Sequence, residues 1–263
     1  MNDLKIVYLD TNIYSYLARN RNIWSKFLEY LKSNKYCIAL SGADIYELIE
    51  AERLCDSIIE LSQYFPTWFI KNWDDILREE IESHPNFRKF TILTKQIKNK
   101  WDVESYLRNN DLKKIRASHP FYAEQVPILL DKLKSNFPLS RNGKYTISQG
   151  AEFADYTLIQ ELGHFNIEFL KKFEDNVIDL KTEIFSSYRI SALVIFYKYY
   201  LGGRKPNKHS DFGDLMHLYA LPYCHLAIFE RDLCNILNMI KTHEDILVQT
   251  EIRNIDFLKE LEE

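Results

Sequence analysis

Glycine and proline are scarce in this chain, at 7 of each in 263 residues. So few turn formers argue against many short strands joined by tight turns and favour long helices. Cysteine is thin as well. Cys37, Cys55, Cys224 and Cys234 form no CxxC pair and no close-set zinc pattern, so neither a disulfide framework nor a zinc finger is expected. Reduced thiols in a cytoplasmic protein are the expectation instead. No run of about 18 apolar residues occurs, so no membrane-spanning helix is expected. No basic segment followed by an apolar stretch opens the chain, so no secretory leader is expected. An excess of basic charge is also missing. With a net charge of -4, any nucleic-acid partner would be gripped by local patches and not by a global field.

What is present is apolar and aromatic: 46% hydrophobic residues with 17 Tyr and 16 Phe, enough for a sizeable core in one or two domains. Residues 5–9 (KIVYL) are a short β-branched run that stops at Asp10 and suits a buried parallel strand. Residues 12–31 carry helical spacing, with Asn20 and Asn22 as candidate breaks. Residues 37–40 suit a second buried strand, and Ser41 can cap the following helix with Asp44 at its N3 position. Strand, helix, strand, helix is the order of an α/β fold with parallel strands. Towards the end, 187–201 suits a buried helix stopped by Gly202 and Gly203, 211–223 a helix, 227–229 a strand, 231–242 a helix and 246–250 a last strand.

Residues 66–185 differ, because helical patterns dominate and strand patterns are nearly absent. They suit a helical insertion or cap, leaving 1–65 and 186–263 as the core. Within this region, 88–116 holds nine basic residues against Asp102, Glu104 and Asp111, with Phe90, Trp101 and Tyr106 interleaved. Cations that hold phosphates beside rings that stack on bases suit a single strand, with Lys95, Lys98 and Lys100 as candidate contacts. A solvated helical face with inward aromatics fits the same pattern. Arg204 and Lys205 form a second candidate phosphate grip, in a basic loop.

Four acids are placed for chemistry. Asp10 and Glu230 each close a predicted strand, while Glu47 and Asp214 fall near the starts of helices. In an open α/β sheet both sets face the carboxyl edge, where sites form. Bare carboxylates at one point repel, and a hard divalent cation resolves the conflict. Singly each signal is weak: Asp10 could be a helix cap, and Glu47 a surface residue.

The run IVYLDTNIYSYL at 6–17 resembles the opening of PIN-domain nucleases, and SGADIYELIEA at 41–51 resembles their second motif. DFGDLMHLYALPYCHLAIFE at 211–230 resembles the third and fourth. The resemblance implies a PIN-like three-layer fold with a central parallel sheet, and a metal-dependent endoribonuclease acting mainly on single-stranded RNA. It implies Asp10, Glu47 and Asp214 as ligands of Mg²⁺ or Mn²⁺, with Asp211 as ligand or helper. Thr11 and Asn12 would orient Asp10 or a water. Many small members are toxins held by an antitoxin, so a regulatory protein partner, single-stranded DNA as substrate and a phage-defence role are open. The chain departs from the pattern at Phe229-Glu230, where the family has Thr-Asp or Ser-Asp. The hydroxyl is lost there and the acid is one methylene longer, which puts a second metal in doubt. A degenerate PIN-fold module that binds RNA or protein without cutting is the alternative.

Two rivals remain. A haloacid-dehalogenase-type phosphatase needs an acid two residues after Asp10, where Asn12 stands. Asp214 and His217, one turn apart on a helix, could form half of a zinc site with His209 or His225, but a structural or polar histidine fits better.

Overall fold

The computed structural model describes residues 4–261, apart from 43, 45–46, 48–51, 87–88, 110–123, 125–126, 129, 133–135, 138–142, 176–178 and 206–213. Strand β1 (Lys5–Leu9) leads into helices α1 (Thr11–Arg19) and α2 (Arg21–Ser33) and then β2 (Tyr36–Leu40). Next come α3 (Glu52–Tyr64), β3 (Thr67–Ile70), α4 (Trp73–Ser83), β4 (Leu93–Ile97) and α5 (Lys100–Asn109). Helices α6 (Gly150–Phe165), α7 (Ile167–Glu174) and α8 (Ser186–Ile195) follow, and α8 widens into a π-helix over Phe196–Leu201. The chain closes with β5 (Leu226–Phe229), α9 (Arg231–His243), β6 (Glu251–Asn254) and α10 (Asp256–Glu260).

The strands form one sheet in the order β4-β3-β2-β1-β5-β6. All neighbours are parallel except β3 and β4. Alternation along the strands splits the core in two. Val7, Leu9, Ile38, Leu40 and Ile228 face one layer, with Ile13, Phe27 and Ile58 of α1, α2 and α3. Ile6, Tyr8, Cys37, Ala39 and Phe229 face the other, with Leu193, Phe196 and Leu237 of α8, the π segment and α9. A sheet covered on both faces explains why β1, β2 and β5 are near-continuous apolar runs. The chain leaves β1 towards β2 over one face, and β5 leads to β6 over the other. The reversal falls between β1 and β5, and a crevice at the carboxyl ends of such a pair is where ligands bind in this class of fold.

Several expectations need correction. The 66–185 segment is not purely helical, because it supplies β3 and β4 to the main sheet. β3 is only four residues long, and β4 is an edge strand with three consecutive polar residues (LTKQI), so neither carries a long buried apolar run. Of the helix expected over 211–223, the described residues are helical only to 216, followed by turns and a 3-10 helix at Leu221–Tyr223 whose Pro222 cannot continue an α-helix. The last strand is Glu251–Asn254 and not 246–250, since Leu247 turns the chain at φ 59°. The break at Asn20 and the Gly202 stop are as expected. Cys37, Cys224 and Cys234 are free and buried. No helix among the described residues is long and apolar enough to cross a membrane.

Glu80 of α4 pins the second layer. Its carboxylate is 1% exposed and accepts from Ser187 N at 2.8 Å, Ser187 Oγ at 2.6 Å and the Tyr223 hydroxyl. Burial pushes its pKa from an ordinary 4.5 up to about 7, against the pull of the Ser187 and Tyr223 hydrogen bonds. The folded chain therefore keeps this proton to higher pH than the unfolded chain does. Stability from Glu80 is greatest below its unfolded pKa and falls as pH rises towards 7. We predict that, between pH 4.5 and 7, wild-type stability falls relative to Glu80→Gln by roughly 3 kcal/mol at most. Urea unfolding of both proteins at the two pH values checks it. Parallel pH slopes would rule out the raised pKa.

Candidate metal centre

Asp10 stands where β1 ends. Its backbone N–H continues the ladder to the Ile228 carbonyl of β5 at 3.1 Å, which holds it at the switch point. As N-cap of α1, its carboxylate accepts from Asn12 N at a long 3.4 Å. The cap reading and the site reading therefore describe one residue, whose second oxygen remains for other work. Burial raises the Asp10 pKa most. His217 and the Asn12 bond lower it, while Glu47 and Glu230 raise it.

The second motif folds as its residues dictate. Ser41 closes β2 and caps the helical segment that carries Asp44 and Glu47. Ser41 Oγ accepts from Asp44 N at 3.2 Å and the Asp44 carboxylate accepts from Ser41 N at 2.6 Å, a reciprocal capping box. Ser41 Oγ also donates to Asp44 at 2.8 Å. Glu47, one turn on, is half-buried and faces the crevice that Asp10 borders.

The third partner is His217. Ligand atoms of Asp10, Glu47 and His217 all lie within 4.8 Å of one another. His217 is 3% exposed and hangs from the turns after 214–216. Its Nδ1 sits 2.5 Å from the Tyr8 hydroxyl and 3.4 Å from Asp44 Oδ1. Its Nε2 is buried with no hydrogen-bond partner; Glu47 Oε1 at 3.5 Å makes an ion-pair contact without hydrogen-bond geometry. Burial alone pulls the imidazole pKa down. The Glu47 contact and then the charges of Asp44, Asp10 and Glu47 outweigh it and raise the group to about 9. Thr11 Oγ1, beside Asp10, is a second buried polar atom without a partner.

Asp214 departs from expectation. It is not in the converging trio; its Oδ2 accepts from Lys198 Nζ at 2.7 Å. Lys198 belongs to the π segment and its side chain is only 6% exposed. The reason is local: the wide turn aims a charged residue of an apolar helix at the 214–216 turn. Asp211 and His209 lie outside the described residues. Glu230 is exposed at the N-cap of α9, close enough for its charge to raise Asp10. His225 is structural, its Nδ1 accepting from Ile6 N at 3.1 Å.

The basic candidates divide. Arg204 makes a two-pronged ion pair with Asp232, two residues past Glu230, and Lys205 is exposed next to it, so this pair borders the site. Strand β4 runs antiparallel to β3, pairing Ile97 with Thr67. Lys98 and Lys100 follow Ile97 and so emerge at the amino edge of the parallel strands, opposite Asp10. Lys95 pairs with Asp102 at 2.5 Å and lies 5.3 Å from the ring centre of Trp101. Trp101 is 60% exposed, but Phe90 and Tyr106 turn inward, Tyr106 stacking on Phe69. The inward reading holds for two of the three rings.

No family model, curated protein or solved structure matches this chain.

Two carboxylates and an imidazole nitrogen at one point are a donor set for a divalent cation, and the unpartnered buried Nε2 is the feature such an ion would satisfy. Sequence reasoning placed Asp10 and Glu47 but weighed His217 as structural; its signal was the Asp214–His217 spacing. Lys198 and Tyr8 were missed, although each is a polar group inside an apolar run.

If Lys198 holds Asp214, the two should be energetically coupled. We predict a coupling of about 1 kcal/mol between Lys198→Met and Asp214→Asn in a double-mutant cycle, modest because Asp214 is partly exposed. Guanidinium unfolding of the four proteins measures it. Strict additivity would mean that the pair does not bind.

Proposed function

We propose that this chain is a metal-dependent endoribonuclease with a PIN-like fold, hydrolysing phosphodiester bonds of single-stranded RNA with Mg²⁺ or Mn²⁺ at Asp10, Glu47 and His217. One observation carries the reading: these three side chains converge at the carboxyl ends of β1 and β2, beside the switch point with β5, around a buried nitrogen that makes no hydrogen bond. A divalent ion held there would lower the pKa of a bound water and neutralise charge on phosphate oxygens.

The chain's own residues supply the rest. Asp10 and Glu47 bring the negative charge that retains a cation, and Thr11 and Asn12 stand where they can orient Asp10 or a water. Lys205, exposed on the same edge beside the Arg204–Asp232 pair, would draw a phosphate backbone towards the acids. Glu230 adds a third carboxylate at the rim, close enough for its charge to act on Asp10. A bound divalent ion would supply the activated water, so no nucleophilic side chain is required. A cytoplasmic setting fits the free thiols, and an antitoxin or other regulatory protein is a candidate partner.

A module that binds RNA without cutting it is favoured by the ion pair of Asp214 with Lys198, which takes one family acid out of the cluster. Incubation with mixed RNA and single-stranded DNA, in Mn²⁺ or EDTA, separates the two. We predict RNA cleavage with Mn²⁺, none with EDTA, and a loss of about 100-fold or more in Asp10→Asn with circular dichroism unchanged. Cleavage by Asp10→Asn at the wild-type rate would overturn the assignment. RNA retention with Mn²⁺ bound and no cut ends would establish the binding module.

A further inference from the structure

The donor set at the centre is chemically uneven, and the unevenness has a direction. Two ligand atoms are carboxylate oxygens and the third is an imidazole nitrogen. Mg²⁺ is a hard ion that demands oxygen ligands in near-ideal octahedral geometry and sheds water reluctantly. Imidazole suits the later first-row divalent ions, and affinity for a mixed nitrogen–oxygen site rises along that series.

His217 is also prepared for the role. A histidine binds a metal through one nitrogen only if the other keeps its proton, and that proton needs an acceptor. Here Nδ1 faces the Tyr8 hydroxyl at 2.5 Å, Tyr8 can donate in turn to Asp44 Oδ1 at 3.3 Å, and Asp44 is held by Ser41 N at 2.6 Å. These contacts fix the ring so that Nε2 faces Asp10 and Glu47, and a metal bound there would replace the Nε2 proton while Nδ1 keeps the Tyr8 hydroxyl as acceptor. Tyr8, Ser41 and Asp44 are all fully buried, so the ring cannot turn without disturbing the core. Nε2 is buried, makes no hydrogen bond and has only the 3.5 Å ion-pair contact to Glu47, so an ion between it and the two carboxylates would satisfy it better than the empty site does.

We infer that Asp10, Glu47 and His217 form a mixed nitrogen–oxygen centre for a divalent first-row transition-metal ion, from Mn²⁺ to Zn²⁺, which discriminates against Mg²⁺. Tyr8 and Asp44 are its positioning residues. The inference rests on the metal-site part of the proposed function but not on RNA cleavage.

Pulsed electron paramagnetic resonance of the Mn²⁺-loaded full chain tests it, with calorimetric titration of Mn²⁺ and Mg²⁺ alongside. A coordinated imidazole gives a nitrogen coupling that changes when the histidines are labelled with ¹⁵N. The expected result is such a coupling in the wild type and its loss in His217→Gln. Mn²⁺ should bind about tenfold or more tighter than Mg²⁺, with the gap closing in His217→Gln. Tyr8→Phe, which keeps the ring but removes the hydroxyl, should weaken Mn²⁺ binding by about tenfold while nitrogen coupling persists. If His217→Gln does not fold, the labelled wild-type signal and the Mn²⁺-to-Mg²⁺ ratio decide alone. Bound Mn²⁺ without nitrogen coupling, or equal affinity for Mg²⁺, overturns the inference even if the chain cuts RNA. Nitrogen-ligated Mn²⁺ in a chain that cuts nothing supports it and removes the nuclease reading. No ion bound at all removes both.

Discussion

The buried carboxylate of Asp44 is the group on which the centre depends. It is 0% exposed, and burial pushes its pKa up to about 7, against the opposing pull of His217 and Ser41. An isolated charge in that position would be expensive. Asp44 is tolerated because Ser41, Tyr8 and His217 all converge on it. Those contacts join three parts of the fold: the end of β2, the middle of β1 and the turns after 214–216. Asp44 closes a helix cap on one side and holds the imidazole on the other. A single buried polar chain thus couples local capping, sheet packing and the geometry of the centre. Such networks are specific because a partly satisfied one costs more than none.

Much of the fold was legible in the sequence because a parallel sheet covered on both faces leaves a plain mark. The runs at β1, β2 and β5 are continuous and apolar, and each ends on or beside a polar residue that matters. The edge strands left no such mark. β3 is four residues long, and in β4 Thr94 and Lys95 are exposed, so neither differs from the helical sequence around it. The centre was legible in part for a related reason. Asp10 and Glu47 are set by elements with clear periodicity, whereas His217 sits in the turns after 216, whose direction depends on tertiary contacts. Helical spacing placed Asp214 and His217 on one face; their partners separate them, His217 packing inward against Tyr8 and Glu47 and Asp214 pairing with Lys198.

Charge balance gives the centre a second layer of logic. Asp10 and Glu47 face His217, and Asp214 faces Lys198, so two cations of the chain itself sit among the acids that the third and fourth motifs bring near. An all-carboxylate cluster would have no internal cation and would lean wholly on bound ions. Arg204 on Asp232 extends the same pattern to the rim. The acids are thereby kept close together without forcing the sheet apart.

Because Phe196–Leu201 is wound as a π-helix, the chain is constrained in length there as well as in composition. A π-turn holds more residues than an α-turn, and it is commonly the trace of an inserted residue at a functional position. Removing one residue between Ile195 and Gly202 would restore α-winding and rotate the flanking segments by about 100° relative to each other. Lys198 would then leave Asp214, and the path into Arg204 would shift with it. Gly202 locks the same register, since a side chain there would stand 2.9 Å from the carbonyl oxygens of Tyr197 and Lys198. Natural variants of this chain that keep the centre should therefore differ here by substitution and not by a single-residue deletion, so that alignment gaps, more than residue identities, would report whether this part of the site is intact.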